Sequence, residues 1–265
     1  MHYSDYKNLI IKKEDKVAIV TMNRPESLNA VSYEMHKELV RVFADLRDDD
    51  DVSVAILTGA GKAFCAGGDI GWFKKRAENP EANPMISPHE PIDLLTNMLN
   101  LPKPLIAAVN GGAIGIGASL AFFSDIIIAA ENARFADMHV NIGLVAGDGC
   151  AAILPMLMGV AKAKEYLLTG DFLSAQEAEK LGVINRVVPQ DKLMSEAMAF
   201  AQRLASGPPL AIMYTKLAVN RALIDRMNMV IPYAAASEFL CFQSRDHVEA
   251  INAFLEKRAP KFIGK

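Results

Sequence analysis

Val109-Asn110-Gly111-Gly112-Ala113-Ile114-Gly115-Ile116-Gly117 decides how this chain is read. The apolar run Leu105–Val109 leads into it, and an apolar stretch without breakers leads out. Strand, glycine turn and helix therefore follow one another. A second segment of the same form, Ala63-Phe64-Cys65-Ala66-Gly67-Gly68-Asp69-Ile70, comes after the β-branched run Val52–Thr58. Small residues let the backbone approach a ligand, and the start of a helix leaves N–H groups without partners. Two such turns aimed at one point form a site for a developing negative oxygen.

Other uses of these glycines fit less well. A dinucleotide fingerprint starting at Gly115 would need a third glycine where Leu120 stands, although Glu131 lies near the position of a ribose-binding acid. No P-loop lysine follows either turn, and no Gly-x-Ser-x-Gly elbow makes Ser119 a nucleophile. Pro104–Ser124 carries no charge and is long enough to span a bilayer. Asn110 and four glycines interrupt it, so it reads as buried strand, turn and helix rather than a membrane segment.

Outward from these turns, Asn8–Lys13 and Val17–Met22 alternate as a hairpin, and Asp125–Ala130 and Val183–Val188 read as further strands. Ser32 caps a helix to about Leu46, with Met35, Leu39, Val42, Phe43 and Leu46 on its apolar face. The proline-rich stretch Asn79–Pro91 reads as a loop. A helix over Gly149–Met158 follows the second turn region. Ser174-x-x-Glu177 is a capping box closed by Gly182, and Asp246-x-x-Glu249 resembles another. Helices are expected over Asp191–Ala205, Leu210–Arg226, Met229–Gln243 and Asp246–Arg258. The pattern is a layered α/β core over residues 1–190 and a helical region over 191–265, with the boundary near Pro189 or Gly207.

Composition sets the bounds. The chain has 265 residues, 51% of them apolar, and a net charge of −3, which gives no reason to expect nucleic acid or an anionic membrane as partner. Cys65, Cys150 and Cys241 are scattered, which suits a reducing, cytoplasmic setting better than a disulfide framework or metal cluster. The polar Met1–Ile10 stretch has no signal-peptide core. The 13 methionines read as adaptable packing.

Four motifs, in order, resemble the crotonase family, which includes enoyl-CoA hydratases and isomerases. They are Asn23-Arg24-Pro25-Glu26-Ser27-Leu28-Asn29-Ala30, Phe64 to Ile70, Lys103-Pro104 through Asp125-Ile126, and Phe254 to Phe262. The resemblance implies a spiral of ββα turns with a helical trimerisation tail, assembled as a homotrimer or a dimer of trimers. It implies an acyl-CoA substrate, with coenzyme A entering as part of that substrate and no metal or redox cofactor. The thioester oxygen would sit between the N–H groups of Ala66 and Ile116. Leu28, Ala30, Gly67, Asp69, Ile70, Gly115 and Ser119 would line the substrate channel. Lys261 and Phe262 would lie near the adenine.

The chain departs from that pattern where hydratases carry two glutamates. Those positions are Ser119 and His139. With Asp148 and Glu238, His139 resembles the acid–base set of crotonase-type β-diketone hydrolases, which cleave β-dicarbonyl compounds by retro-Claisen chemistry. On that reading Asp148 orients the imidazole and His139 is a base near neutral pH. The plainer alternatives are an N-cap for Asp148, a core histidine for His139 and a surface carboxylate for Glu238. His36, His89 and His247 show no partner pattern. A third reading is a silent acyl-CoA-binding subunit that kept its oxyanion hole.

Overall fold

The computed structural model describes residues 3–78 and 90–265. The expected loop Asn79–Pro91 lies outside them, apart from its last two residues, whose backbone begins a helix, and His89 lies outside as well.

The chain opens with the hairpin β1 (Leu9–Glu14) and β2 (Val17–Met22). Helix α1 (Tyr33–Asp48) follows, and the Ser32 side chain caps it by accepting from the Met35 N–H. All five residues expected on its apolar face are buried, together with His36. Next come β3 (Val54–Gly59), α2 (Ile70–Glu78), α3 (Glu90–Asn100), β4 (Leu105–Val109), β5 (Gly112–Ile114) and α4 (Ile116–Phe122). The chain continues through β6 (Ile126–Ala130), β7 (Arg134–Ala136), a 3-10 turn at His139–Ile142, α5 (Cys150–Met158) and α6 (Val160–Thr169). Its last part is β8 (Leu173–Ser174), α7 (Ala175–Lys180), β9 (Arg186–Val188), α8 (Leu193–Ala205), α9 (Pro209–Cys241) and α10 (Arg245–Glu256).

One sheet runs β1-β2-β3-β4-β6-β9. It is parallel except for the opening hairpin, so its inner strands are covered on both faces and read as unbroken apolar runs. Every residue of β3 and β4 is buried. A smaller sheet, β5-β7-β8, lies beyond it. The sequence did not announce these three strands, which are only two or three residues long and lack a readable period. Consecutive turns of chain thus pass from one sheet to the other in a ββα spiral.

Pro104–Ser124 resolves into β4, β5 and α4, and among the described residues no helix is long and apolar enough to cross a membrane. Helix α8 packs Leu193, Ala197 and Ala201 against Val17, Val54, Ile106 and Ile128 of the sheet. Helix α9, beyond Gly207, also packs on the core through Met227, Ile231 and Ala235. The two expected helices Leu210–Arg226 and Met229–Gln243 form the single helix α9, because Met227 and Asn228 contain no stop signal and Pro232 is carried within it. A buried ion pair, Lys216 Nζ to Asp125 Oδ2 at 2.7 Å, fixes α9 to the sheet edge. The capping box at Ser174 holds, its hydroxyl accepting from the Glu177 N–H. The second one does not: Ser244 caps α10, while Asp246 and Glu249 accept backbone N–H groups of the C-terminal segment.

Candidate active site

The two glycine-rich turns are joined to each other. Cys65 pairs with Ala113 in an isolated parallel bridge, its N–H donating to Gly112 O and its carbonyl accepting from Ile114 N–H, each at 2.9 Å. Two buried asparagines hold the approach. Asn29 Nδ2 donates to Ala60 O and Ala63 O, and Asn110 Nδ2 donates to Gly59 O and Gly61 O. At Gly115 the backbone turns with φ +52°, and a Cβ there would lie 3.7 Å from His139 Cε1 and 3.8 Å from Gly67 Cα. Both turns and the imidazole thus meet within one residue's width. They line a cavity of about 390 Å³ that also takes in Val31, Ile70, Ile142 and Ala235.

The expected donor at Ala66 needs correcting. Its N–H already donates to Leu28 O at 3.0 Å, part of the short ladder that continues through Val31. Among the described residues the N–H of Gly68, two residues on, has no hydrogen-bond acceptor, and neither has the N–H of Ile116 at the first turn of α4. Gly68 and Ile116 both line the cavity. A strand alternates the direction of its N–H groups, so a two-residue slip keeps the direction and changes only the depth.

Across the cavity stands the cluster around His139. Its Nδ1 is 2.7 Å from Asp137 Oδ1, which also accepts the His139 backbone N–H. Its Nε2 faces two carboxylates, Asp148 Oδ2 at 3.5 Å and Glu238 Oε1 at 3.7 Å. Asp137, not Asp148, therefore orients the ring. Asp148 is held in turn by Ser119, whose hydroxyl donates to its Oδ1 at 3.1 Å. It does not cap α5, whose N-cap is Gly149 and shows no side-chain cap bond. Glu238 reaches the site from α9, passing closely over Gly147, where a Cβ would collide with its carboxyl.

Electrostatics run against a neutral imidazole base. Burial pulls the His139 pKa down, but the charges of Asp137, Asp148 and Glu238 outweigh it and hold the ring protonated well above its usual range. Burial alone would raise Asp137, yet His139 beside it keeps it below the ordinary carboxylate value. Burial pushes Asp148 up to about 6 and Glu238 up to about 7, against the pull of His139 on each. The groups poised to exchange a proton at neutral pH are the two carboxyls, with His139 the fixed cation between them.

The remaining expected ligands divide. Gly67, Ile70 and Gly115 line the cavity, while Leu28, Ala30, Asp69 and Ser119 do not. Asp69 instead caps α2 by accepting from Gly71 N–H and pairs with Arg24 at 3.0 Å. Ser119 is fully buried behind the cluster. Lys261 donates its backbone N–H to Glu249, and Phe262 lines a separate hollow with Leu240 and Cys241. Arg258 and Pro260 occupy the cavity rim in their place. His36 also lines the cavity, kept neutral by burial that pushes its pKa down to about 4. Asp137, Asp148 and Cys150 bring one donor atom each within 4.8 Å of the others. The His139 cation already supplies positive charge beside that group.

Residues 12–265 match the family model described as enoyl-CoA hydratase/isomerase. The crotonyl-CoA hydratase of Syntrophomonas wolfei is 36% identical over 261 residues, covering 98% of this chain and 99% of that protein. The 1,2-epoxyphenylacetyl-CoA isomerase of Escherichia coli K12 is 36% identical over 253 residues, covering 95% and 97%. The crystal structure of an enoyl-CoA hydratase/isomerase from Mycobacterium paratuberculosis matches with a TM-score of 0.89 at 36% identity, covering 94% of this chain and 99% of that one. Fold and site thus define an enzyme of the crotonase superfamily. Within it, this chain belongs to the enoyl-CoA hydratase/isomerase family.

Proposed function

We propose that this enzyme acts on an acyl-CoA thioester through an enolate, with Glu238 as the proton-transfer group in place of the usual paired glutamates. The observation that carries this reading is the placement of two uncommitted N–H groups, Gly68 and Ile116, in one cavity with the His139 cluster. The thioester oxygen accepts both N–H groups. The Glu238 carboxylate takes the proton from the acyl carbon, and the electron pair moves onto the oxygen. The amide dipoles are fixed before reaction, and each is worth ~3 kcal/mol in the transition state. Return of the proton to a different carbon completes an isomerisation. Addition of water across the double bond runs through the same enolate. The protonated His139 steadies Glu238 in its charged form, against the like charge of Asp148. The chemistry requires no metal or redox cofactor, and CoA enters as part of the substrate.

The test is solvent deuterium wash-in at the α-carbon of crotonyl-CoA and a 3-enoyl-CoA, followed by mass spectrometry. Incorporation that disappears in Glu238→Gln supports the reading. Tight thioester binding without any incorporation would instead identify a silent acyl-CoA-binding subunit.

The two carboxyls flanking one imidazolium nitrogen favour a second reading, retro-Claisen cleavage of a β-dicarbonyl. There a carboxylate takes a proton from water, and the hydroxyl adds to one carbonyl. The carbon–carbon bond breaks towards the other carbonyl, whose enolate oxygen lies on Gly68 and Ile116 and whose carbon is then protonated by His139. Turnover of a cyclic 1,3-diketone without CoA decides for it.

The exposed apolar side chains of α9, among them Tyr214, Val219, Met229 and Tyr233, support assembly as a homotrimer or a dimer of trimers in the cytoplasm. Light scattering on the purified chain reads that directly.

A further inference from the structure

The acyl end of the cavity is walled by rings placed immediately beside the oxyanion donors. A Cβ on Gly68 would lie 2.7 Å from two ring carbons of Phe73, so that ring stands directly over the Gly68 backbone. Trp72 is 5.1 Å from Phe73 between ring centroids, and Phe242 is 5.9 Å from it on the other side. Phe242 is the C-cap residue of α9, four residues beyond Glu238, and Ala235 lies three residues before Glu238. Trp72, Phe73, Ala235 and Phe242 all line the cavity. His247 of α10 packs edge-on against Phe242 at 5.0 Å and Phe73 at 6.1 Å, and its Nδ1 lies 2.8 Å from Ile142 O.

We infer that the acyl group this site takes is a planar ring carried close to the thioester carbonyl, laid against the wall of Trp72, Phe73 and Phe242, rather than a long linear chain. The inference rests on the acyl-CoA reading above and specifies its substrate class. A carbonyl oxygen on Gly68 N–H brings the acyl group next to the Phe73 ring. A flat aromatic group gains offset or edge-to-face contacts there that a flexible chain cannot match. A linear chain also loses more rotational freedom than a ring on being held against these side chains.

Trp72 is the chain's single tryptophan, so its emission reports filling of this wall without any need for turnover. The probes are cinnamoyl-CoA and trans-2-nonenoyl-CoA, which carry the same number of acyl carbons, with free CoA as control. The expected result is quenching by both thioesters, with cinnamoyl-CoA bound about tenfold more tightly. Phe242→Leu, which keeps an apolar side chain at the position, should narrow that gap to about twofold. Equal or tighter binding of the nonenoyl thioester would overturn the ring preference while leaving the acyl-CoA reading in place. Failure of both thioesters and of free CoA to bind would remove the acyl-CoA reading itself and this inference with it.

Discussion

The two glycine-rich turns and the His139 cluster face one cavity, but they are built from different material. The turns are backbone, joined by the bridge of Cys65 to Ala113 and held by two asparagines. The groups they turn toward the cavity are amide N–H donors, whose charge does not change with pH. The cluster is made of side chains that come from a 3-10 turn, a loop before α5 and the last turn of a C-terminal helix. All of its members titrate, and each sets the charge of the others. One region offers a fixed field and the other a movable proton. The comparison shows why a superfamily can keep its first half while its second half changes the reaction.

The largest expected effect lies in the side-chain half. Glu238→Gln should lower turnover by about 10²–10⁴, the usual worth of a positioned acid or base, and remove the limb of the rate profile near pH 7. The same variant sharpens the contrast through stability. The folded pKa of Glu238, about 7, lies above the ordinary 4.5. The group therefore costs nothing while protonated in both states, and its destabilisation grows as pH rises from about 4.5 to about 7. His139 works in the same direction, since stability from its raised pKa is present below about 6.5 and is lost as pH climbs through the folded value. Thermal melts should therefore show Glu238→Gln more stable than the parent at pH 8, by on the order of 2–3 kcal/mol, and little changed at pH 4. Equal stability at both would contradict a strained carboxylate.

Next in size is the backbone half. Ile116→Pro removes one N–H at the first position of α4, where proline is tolerated. Turnover should fall about 10²–10³ with a nearly unchanged melting temperature, and its pH profile should keep its shape. A shifted profile would show that the two regions are not separable. Asp137→Asn comes third. Loss of the charge beside Nδ1 should bring the His139 pKa down, read by NMR titration of the ring. An unmoved titration would return the orienting role to Asp148. The smallest effect is expected from Ser119→Ala, which loses one hydrogen bond to Asp148 and should cost about 1 kcal/mol of stability with turnover changed only a few-fold.

What the sequence could reveal follows the same division. The turns were legible because glycine, small residues and flanking apolar runs are local signals, and α1 was legible from its cap and five-residue face. Ala66 followed from motif position alone, and its N–H is taken by Leu28 O, a partner that lies far off in sequence. Asp137 was missed although Asp-x-His was in plain view, because an i, i+2 contact requires a bent backbone that no residue type announces there. The protonated state of His139 was out of reach. It depends on a third carboxyl delivered by α9, and the sequence pattern had cut that helix in two.

The central claim is tested most directly by a crystal structure with a bound enoyl-CoA. The account predicts the thioester oxygen 2.7–3.1 Å from both the Gly68 and the Ile116 nitrogens, with the reacting carbon facing Glu238. An oxygen resting elsewhere, or a Gly68 N–H already given to another part of the chain, would contradict it.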